Sequence, residues 1–527
     1  MLNGTVPSHP GLYRPKELIA DGKYELAAQS LIEFLRHNHD NPQALALLGE
    51  AANRLGALGQ AEHFLRKAIK LGAREFDIRH MLASVINQQA RPALAIPMFE
   101  ELLEERPDPN TRLVLASIYE KTAQQDKSRE IFRDLADTHA NNPQVWISYG
   151  HSLRADGMVQ DAVAAYRRAI AIDDGFGDAW WGLASIKSRI LVDEDIATMR
   201  TALAMAADDR HRAPLHFAMA RAFHDHAEYE EAFAHYKIGN QIRAASLNYN
   251  PAELTEEIRE IELRIDQAFM RGLPKDPVGE GTPIFVVSLP RSGSTLLEQM
   301  LGSHSQIEPV GELPYIPAIL RGFMEMATRR GKMTVPQAIT AMSPEQASDF
   351  GREYLERANL HRRFGKQLFI DKLPHNWSNI LFIRKILPQA RFIDIRRSGM
   401  DCCFSNFTQS FTSAHPASFT LEDVGRSYVD NVRLHTHLDL VSPGMVHHID
   451  YRKLVENPQE QIGSALQYLD IGWEDAVLDF HKLDRVVRTP SSEQVRRPLN
   501  RDGIAIWKPY SQWLGPLRDA LGSFAEG

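Results

Sequence analysis

The residues best suited to chemistry stand together at 289–295. A β-branched run beginning at Pro283 enters Leu289-Pro290-Arg291-Ser292-Gly293-Ser294-Thr295, and a helical pattern follows at once. A glycine and small hydroxyl residues at a strand-to-helix turn leave backbone N–H groups available to surround an anion, and the helix N-terminus adds positive potential. The segment reads as a phosphate cradle with Arg291 as its cation; a ligand-free glycine turn is the alternative. It departs from the nucleoside-triphosphatase loop, which needs GxxxxGK followed by Ser or Thr. Ser288 takes the first glycine position and no lysine follows Gly293.

Such a cradle needs a buried strand behind it. From Pro283 onward short β-branched runs alternate with helical patterns, through IFVVS, a long helical region, KQLFID, NILFIRKIL, RFIDI and MVHHID, which predicts a parallel sheet with helices on its faces. Upstream, PAELTEEIREIELRIDQAFM is amphipathic and RGLPKDPVGEGTP is rich in Gly and Pro. Residues 247–282 are therefore expected to form a helical linker and 283–527 a separate domain.

Before that linker the chain repeats itself with a period of about 34 residues. Gly49 with Ala61 and Ala68, Ala83 with Ala95 and Phe99, and Ala116 with Tyr119 and Phe132 keep one spacing of small and large residues. Trp146, Gly150, Leu153, Gly157, Ala162, Tyr166 and Ala169 mark the clearest unit. These positions resemble the tetratricopeptide repeat. The resemblance implies two antiparallel helices per unit, stacked into an α solenoid over residues 8–246. Its concave surface is expected to grip a protein partner or an acceptor, a rigid spacer or dimerisation arm being the plainer reading.

Composition narrows the rest. The chain of 527 residues, with 43% hydrophobic and 24% charged, is too long for one core. A net charge of -8 argues against nucleic acid or an anionic membrane as the main partner. No signal pattern opens the sequence and no apolar run approaches the ~20 residues of a membrane helix, so a cytoplasmic protein is expected. Cys402 and Cys403 are adjacent and are the two cysteines of the sequence, poor material for a disulfide framework or a thiolate metal site.

Residues 283–515 resemble the sulfotransferase superfamily that uses 3'-phosphoadenosine 5'-phosphosulfate (PAPS), in particular the tyrosylprotein sulfotransferases and bacterial proteins that fuse tetratricopeptide repeats to such a domain. PRSGST matches the family's PRSGTT-type loop with Ser294 for Thr, which implies that Arg291, Ser292, Gly293, Ser294 and Thr295 bind the 5'-phosphosulfate. The family's second signature is an Arg at a strand end with a Ser eight residues on, holding the 3'-phosphate. In RFIDIRRSGMDCCFSNF, Arg397 and Ser405 have that spacing, with Gly399 and Asp401 in their usual places; Arg396 is the other candidate, but its eighth neighbour is Phe404. A guanidinium suits multi-donor phosphate recognition, whereas a surface salt bridge with Asp401 is the non-functional alternative for Arg397.

The same resemblance gives Glu312, in VGELPYI, the role of general base. The tyrosylprotein enzymes carry two consecutive acids there, and this chain has Glu312 followed by Leu313. Lys372, in DKLPHNW, aligns with the lysine placed near the donor's bridging oxygen, where it stabilises charge on the leaving phosphate. Asp371 and His375 flank it, and a histidine base stays open. Near the C-terminus, Ser492 is the candidate contact to the 5'-phosphosulfate, and Arg496, Arg497 and Lys508 to the 3'-phosphate side. That arginine run reads equally as a solvated face. Tyr451, in DYRKLVENP, matches a recurring family element that binds nucleotide or packs.

The expected protein is thus an α solenoid followed by an α/β, P-loop-like sulfotransferase domain with a central parallel sheet. It would move a sulfuryl group from PAPS to the hydroxyl of a protein, peptide or glycan, with Glu312, Lys372 and Arg291 catalytic and no metal required. The rival readings are a P-loop nucleotide kinase and a catalytically silent repeat scaffold.

Overall fold

A computed structural model of the chain describes residues 7–186, 189–328, 331–411, 414–482 and 495–526. Grouped by internal contacts, the chain forms two units, Met1–Asp134 with Pro317–Met333, and Leu135–Ile316 with Thr334–Gly527.

In the first unit, helices Tyr24–His37, Pro42–Arg54, Leu58–Lys70, Phe76–Gln88, Pro92–Glu105 and Pro109–Lys121 pack each on the next. Proline in the first turn and an Asn or Asp cap start two of them: Asn41 accepts from the Ala44 N–H at 2.8 Å and Asp108 from the Thr111 N–H at 2.7 Å. Leu31, Leu47, Leu65, Leu82 and Phe99 lie in one buried core. Gly49 permits a close helix approach, because a Cβ there would stand 2.7 Å from Leu65. From the Pro317–Met333 segment, the Glu325 carboxylate accepts from the Gly59 N–H at 2.9 Å, satisfying a first-turn donor of Leu58–Lys70.

The second unit opens with further helix pairs. Tyr166 sits between Gly150 and Gly182, where an added Cβ would come within 2.6 and 2.7 Å of its ring. Helices Asp209–Asp225 and Tyr229–Ala245 form a hairpin, and Pro251–Arg264 then lies along Leu421–Val441 through Arg433 to Glu262 at 2.6 Å and Thr255 to Asp430 at 2.7 Å.

Among the described residues five strands form one parallel sheet in the order β2-β3-β1-β4-β5: β1 Thr282–Val287, β2 Ile307–Gly311, β3 Leu368–Asp371, β4 Arg391–Arg396 and β5 Val446–Asp450. Central β1 is an almost unbroken apolar run because both its faces are covered. The sequence runs IFVVS, KQLFID, RFIDI and MVHHID fall on β1, β3, β4 and β5. Between β3 and β4, NILFIRKIL contains helix Ile380–Ile386, and β2 matches no run singled out in the sequence. The chain leaves β1 with β3 on one side and β4 on the other, the arrangement that opens a crevice at the carboxyl ends of strands. Among the described residues no helix is long and apolar enough to cross a membrane.

Candidate functional site

The cradle lies in that crevice. After β1 the chain turns through Arg291, with φ of 66°, and Gly293, with φ of 102°, into helix Ser294–Gly302. Two consecutive requirements fall on Gly293: the left-handed backbone, and the ring of Tyr451, which an added Cβ would approach to 2.4 Å. The turn's carbonyls are tied down from behind. Arg397 donates to the Arg291 carbonyl at 2.9 Å and Asn406 to the Pro290 carbonyl at 2.7 Å. These bonds leave the loop's N–H face as the side available to a ligand.

Arg397 follows β4 and is buried. Its guanidinium donates to Ser405 Oγ at 3.0 Å and also to the Gly503 carbonyl, while the Asp401 carboxylate stands 3.8 Å away and is itself buried. A surface salt bridge does not describe it. Arg396 turns elsewhere and donates to Asp394 at 3.0 Å, where His448 also meets Asp394 at 3.1 Å. Facing guanidiniums have an electrostatic cost: burial, then the charge of Arg397, lowers Arg291 to about 10.

Arg291, Gly293, Arg397, Ser405, Tyr451 and Arg497 line one cavity of about 320 Å³. Arg291, Gly293, Ser294, Thr295, Tyr451 and Arg497 also line a smaller one of about 80 Å³ over the start of the cradle helix. Ser292 is buried against the Cys402 thiol at 3.3 Å. Arg496 is turned to the repeats, donating to the Ala155 carbonyl at 3.2 Å, and lines neither cavity; nor does the exposed Lys508. Ser492 lies outside the described residues.

Glu312 and Lys372 meet directly. Glu312 follows β2, Lys372 follows β3, and the Lys372 ammonium donates to the Glu312 carboxylate, with buried Glu298 a further 3.9 Å neighbour. Leu313 is buried and donates its N–H to Asp371 at 3.3 Å, so the position after Glu312 belongs to the core. Asp371 also accepts from the Tyr354 hydroxyl at 2.9 Å. Burial, with Glu312 and Glu298 nearby, pushes the Asp371 carboxyl up to about 8. His375 packs among the rings of Trp377 and His415, and burial lowers its pKa.

The cavity has walls that the motifs did not point to. Arg221, His224 and Tyr236 come from hairpin Asp209–Ala245, and Phe404, Thr408, Asp502, Gly503 and Ile506 line it as well. No spacing rule joins the hairpin residues to the cradle, since they stand in the repeats and look like repeat positions.

Residues 283–475 match the Sulfotransferase family and residues 16–76 the Tetratricopeptide repeat. An uncharacterized protein of Aquifex aeolicus (strain VF5) is 30% identical over 382 residues, which is 70% of this chain and 49% of that protein. Protein-tyrosine sulfotransferase 1 of Danio rerio is 24% identical over 233 residues, 42% of this chain and 65% of its own. The chain thus spans about half to two thirds of the length of these relatives. The sulfotransferase domain of an olefin synthase from Synechococcus PCC 7002 has 20% identity and a TM-score of 0.32, covering 45% of this chain and 90% of that one. A match to the Tetratricopeptide repeat thus lies upstream of a match to the Sulfotransferase family in this chain.

Proposed function

We propose that the chain transfers a sulfuryl group from PAPS to an acceptor hydroxyl, on a protein tyrosine or a glycan, with the repeats holding the acceptor or a partner protein. One observation carries the proposal. The cradle residues Arg291 and Gly293 share a cavity with Arg397, Ser405 and Tyr451, which supplies two anion-binding groups in a single space. That donor set suits a nucleotide with phosphate groups at both ends. Arg291, Arg397 and Arg497 line the cavity against the one carboxylate of Asp502. Arg397 Nε is buried without a hydrogen-bond partner among the described residues, so an unused donor belongs to a residue of the cavity wall.

In this reading the donor supplies an activated sulfuryl group, and the protein's residues position and neutralise charge. Glu312 removes the acceptor proton; its side chain is 42% exposed, whereas that of Lys372 is 1% exposed, so an acceptor reaches the acid from outside. Lys372 turns its ammonium from Glu312 toward charge developing on the leaving phosphate. Arg291 and the N–H groups of 293–295 hold the transferring group in line, a task of positioning and charge stabilisation like that in phosphoryl transfer.

Calorimetric binding of adenosine 3',5'-bisphosphate to the full chain tests the reading, with EDTA present and with ATP plus Mg²⁺ as the comparison. Bisphosphate binding in EDTA, well above that of ATP with Mg²⁺, is the expected result. Preference for ATP with Mg²⁺ would sink the proposal and favour the kinase alternative.

A further inference from the structure

The last helical hairpin of the repeats forms part of the wall of the cradle cavity. Arg221 and His224, on helix Asp209–Asp225, and Tyr236, on Tyr229–Ala245, line it together with Arg397 and Ser405. Repeats usually offer a surface to a separate partner; here a repeat guanidinium faces the same space as the cradle.

Several bonds fix that hairpin in place. Asn240 donates to the Phe407 carbonyl at 2.8 Å, at the C-terminal end of Gly399–Phe407, the helix that carries Ser405. That carbonyl has no partner within its own helix, so the asparagine satisfies a group that would otherwise be buried and unmet. His224 stacks on Tyr510 at an interplanar angle of 5° and hydrogen-bonds its hydroxyl at 2.7 Å, and Phe233 stacks on Trp513. Arg221 is itself oriented. Its Nε and one terminal nitrogen meet the two Asp225 oxygens at 3.2 and 2.9 Å, which aligns the planar fork in the cavity wall.

We propose that Arg221 binds the 3'-phosphate of the donor nucleotide together with Arg397 and Ser405, so that the nucleotide site is built jointly by the repeats and the sulfotransferase-family domain. This rests on the sulfotransfer reading, which places a 3'-phosphate at Arg397 and Ser405. A bidentate guanidinium contact to a phosphate is among the stronger hydrogen-bonded pairs. Loss of one charged contact corresponds to a factor of roughly 10 to 100 in affinity. A buried polar network that merely fastens the hairpin would give no such preference for one phosphate.

The test is calorimetry on the full chain with two probes, adenosine 3',5'-bisphosphate and AMP, which lacks the 3'-phosphate. Wild type is expected to prefer the bisphosphate. Arg221→Ala should weaken bisphosphate binding about 10-fold or more and leave AMP within about twofold, collapsing the preference. Arg221→Lys, which keeps charge but loses the fork, should fall between them. If Arg221→Ala keeps the wild-type preference, or weakens both probes equally, the inference is overturned. If wild type shows no preference for the bisphosphate, the sulfotransfer reading fails first and the assignment of Arg221 goes with it.

Discussion

Lys372 and Glu312 pair across the ends of β3 and β2, and the pair is asymmetric: the lysine side chain is almost fully buried, and the glutamate side chain remains open to solvent. A buried ammonium whose partner lies on the surface has two places to direct its charge, the carboxylate or an anion bound inside. In the proposed sulfotransfer Glu312 is the base and Lys372 the cation beside the leaving group, although neither lines the two cradle cavities. Replacing Glu312 by Gln keeps an acceptor for Lys372 and removes the base. Glu312→Gln is expected to lower kcat by about 10²–10⁴-fold, with bisphosphate affinity within about twofold by calorimetry. Normal turnover would take Glu312 out of the role.

Neighbouring arginines at the end of β4 should separate binding from stability. Arg397 lines the cavity, whereas Arg396 is held by Asp394 on the side of His448. Arg397→Ala should abolish measurable bisphosphate binding. Arg396→Ala should leave affinity near wild type and lower the melting temperature, because the buried Asp394 loses a charged partner. Titration and thermal melts on both variants decide it, and a loss of affinity confined to Arg396→Ala would reverse the assignment.

Gly293 carries two constraints, and they can be separated. Gly293→Ala should cost about 1–3 kcal/mol of stability through the left-handed backbone, plus the clash with Tyr451. In a Tyr451→Ala background the clash term vanishes and the backbone term stays. A double-mutant cycle from denaturant melts should therefore show the glycine substitution milder in that background. Equal costs in both backgrounds would mean that the ring moves aside freely.

The parts legible in the sequence were those with a local cause. Gly293 sits in a strand-to-helix turn whose chemistry is contiguous, and β1, β3, β4 and β5 are apolar or β-branched runs. β2 was hidden because it is a short edge strand containing Pro309 and Glu308. Glu308 is buried, with its carboxylate accepting from the Phe364 N–H at 2.9 Å, a partner remote in sequence. Family resemblance singled out Glu312 and Lys372 one by one, but their contact appears first in the structure, because nothing in two separated strand ends encodes it. Arg221 had no signal of either kind: it is one more polar residue on a repeat helix until the hairpin docks beside Ser405.

Asp371 gives the site a pH signature. Burial, aided by the carboxylates of Glu312 and Glu298, raises its pKa to about 8 in the folded chain, against about 3.9 for an unfolded aspartate. Between those values the folded state holds a proton that the unfolded chain has released. Stability linked to this group is therefore present below about pH 4 and declines as pH rises through the window, by up to about 1.4 kcal/mol per pH unit. Asp371→Asn is neutral throughout and keeps an oxygen to accept from Tyr354 or the Leu313 N–H. Urea unfolding of both proteins from pH 5 to pH 9 should show the wild type losing stability relative to the variant as pH rises, the gap smallest at the acid end and levelling off above about pH 8. A neutral Asp371 leaves Glu312 and Glu298 as the acids that Lys372 meets, so the variant should retain bisphosphate binding at pH 7. Parallel pH curves for the two proteins would mean that Asp371 is ionised in the folded state, and the carboxylate beside Lys372 would then have to be counted in the charge balance of the site.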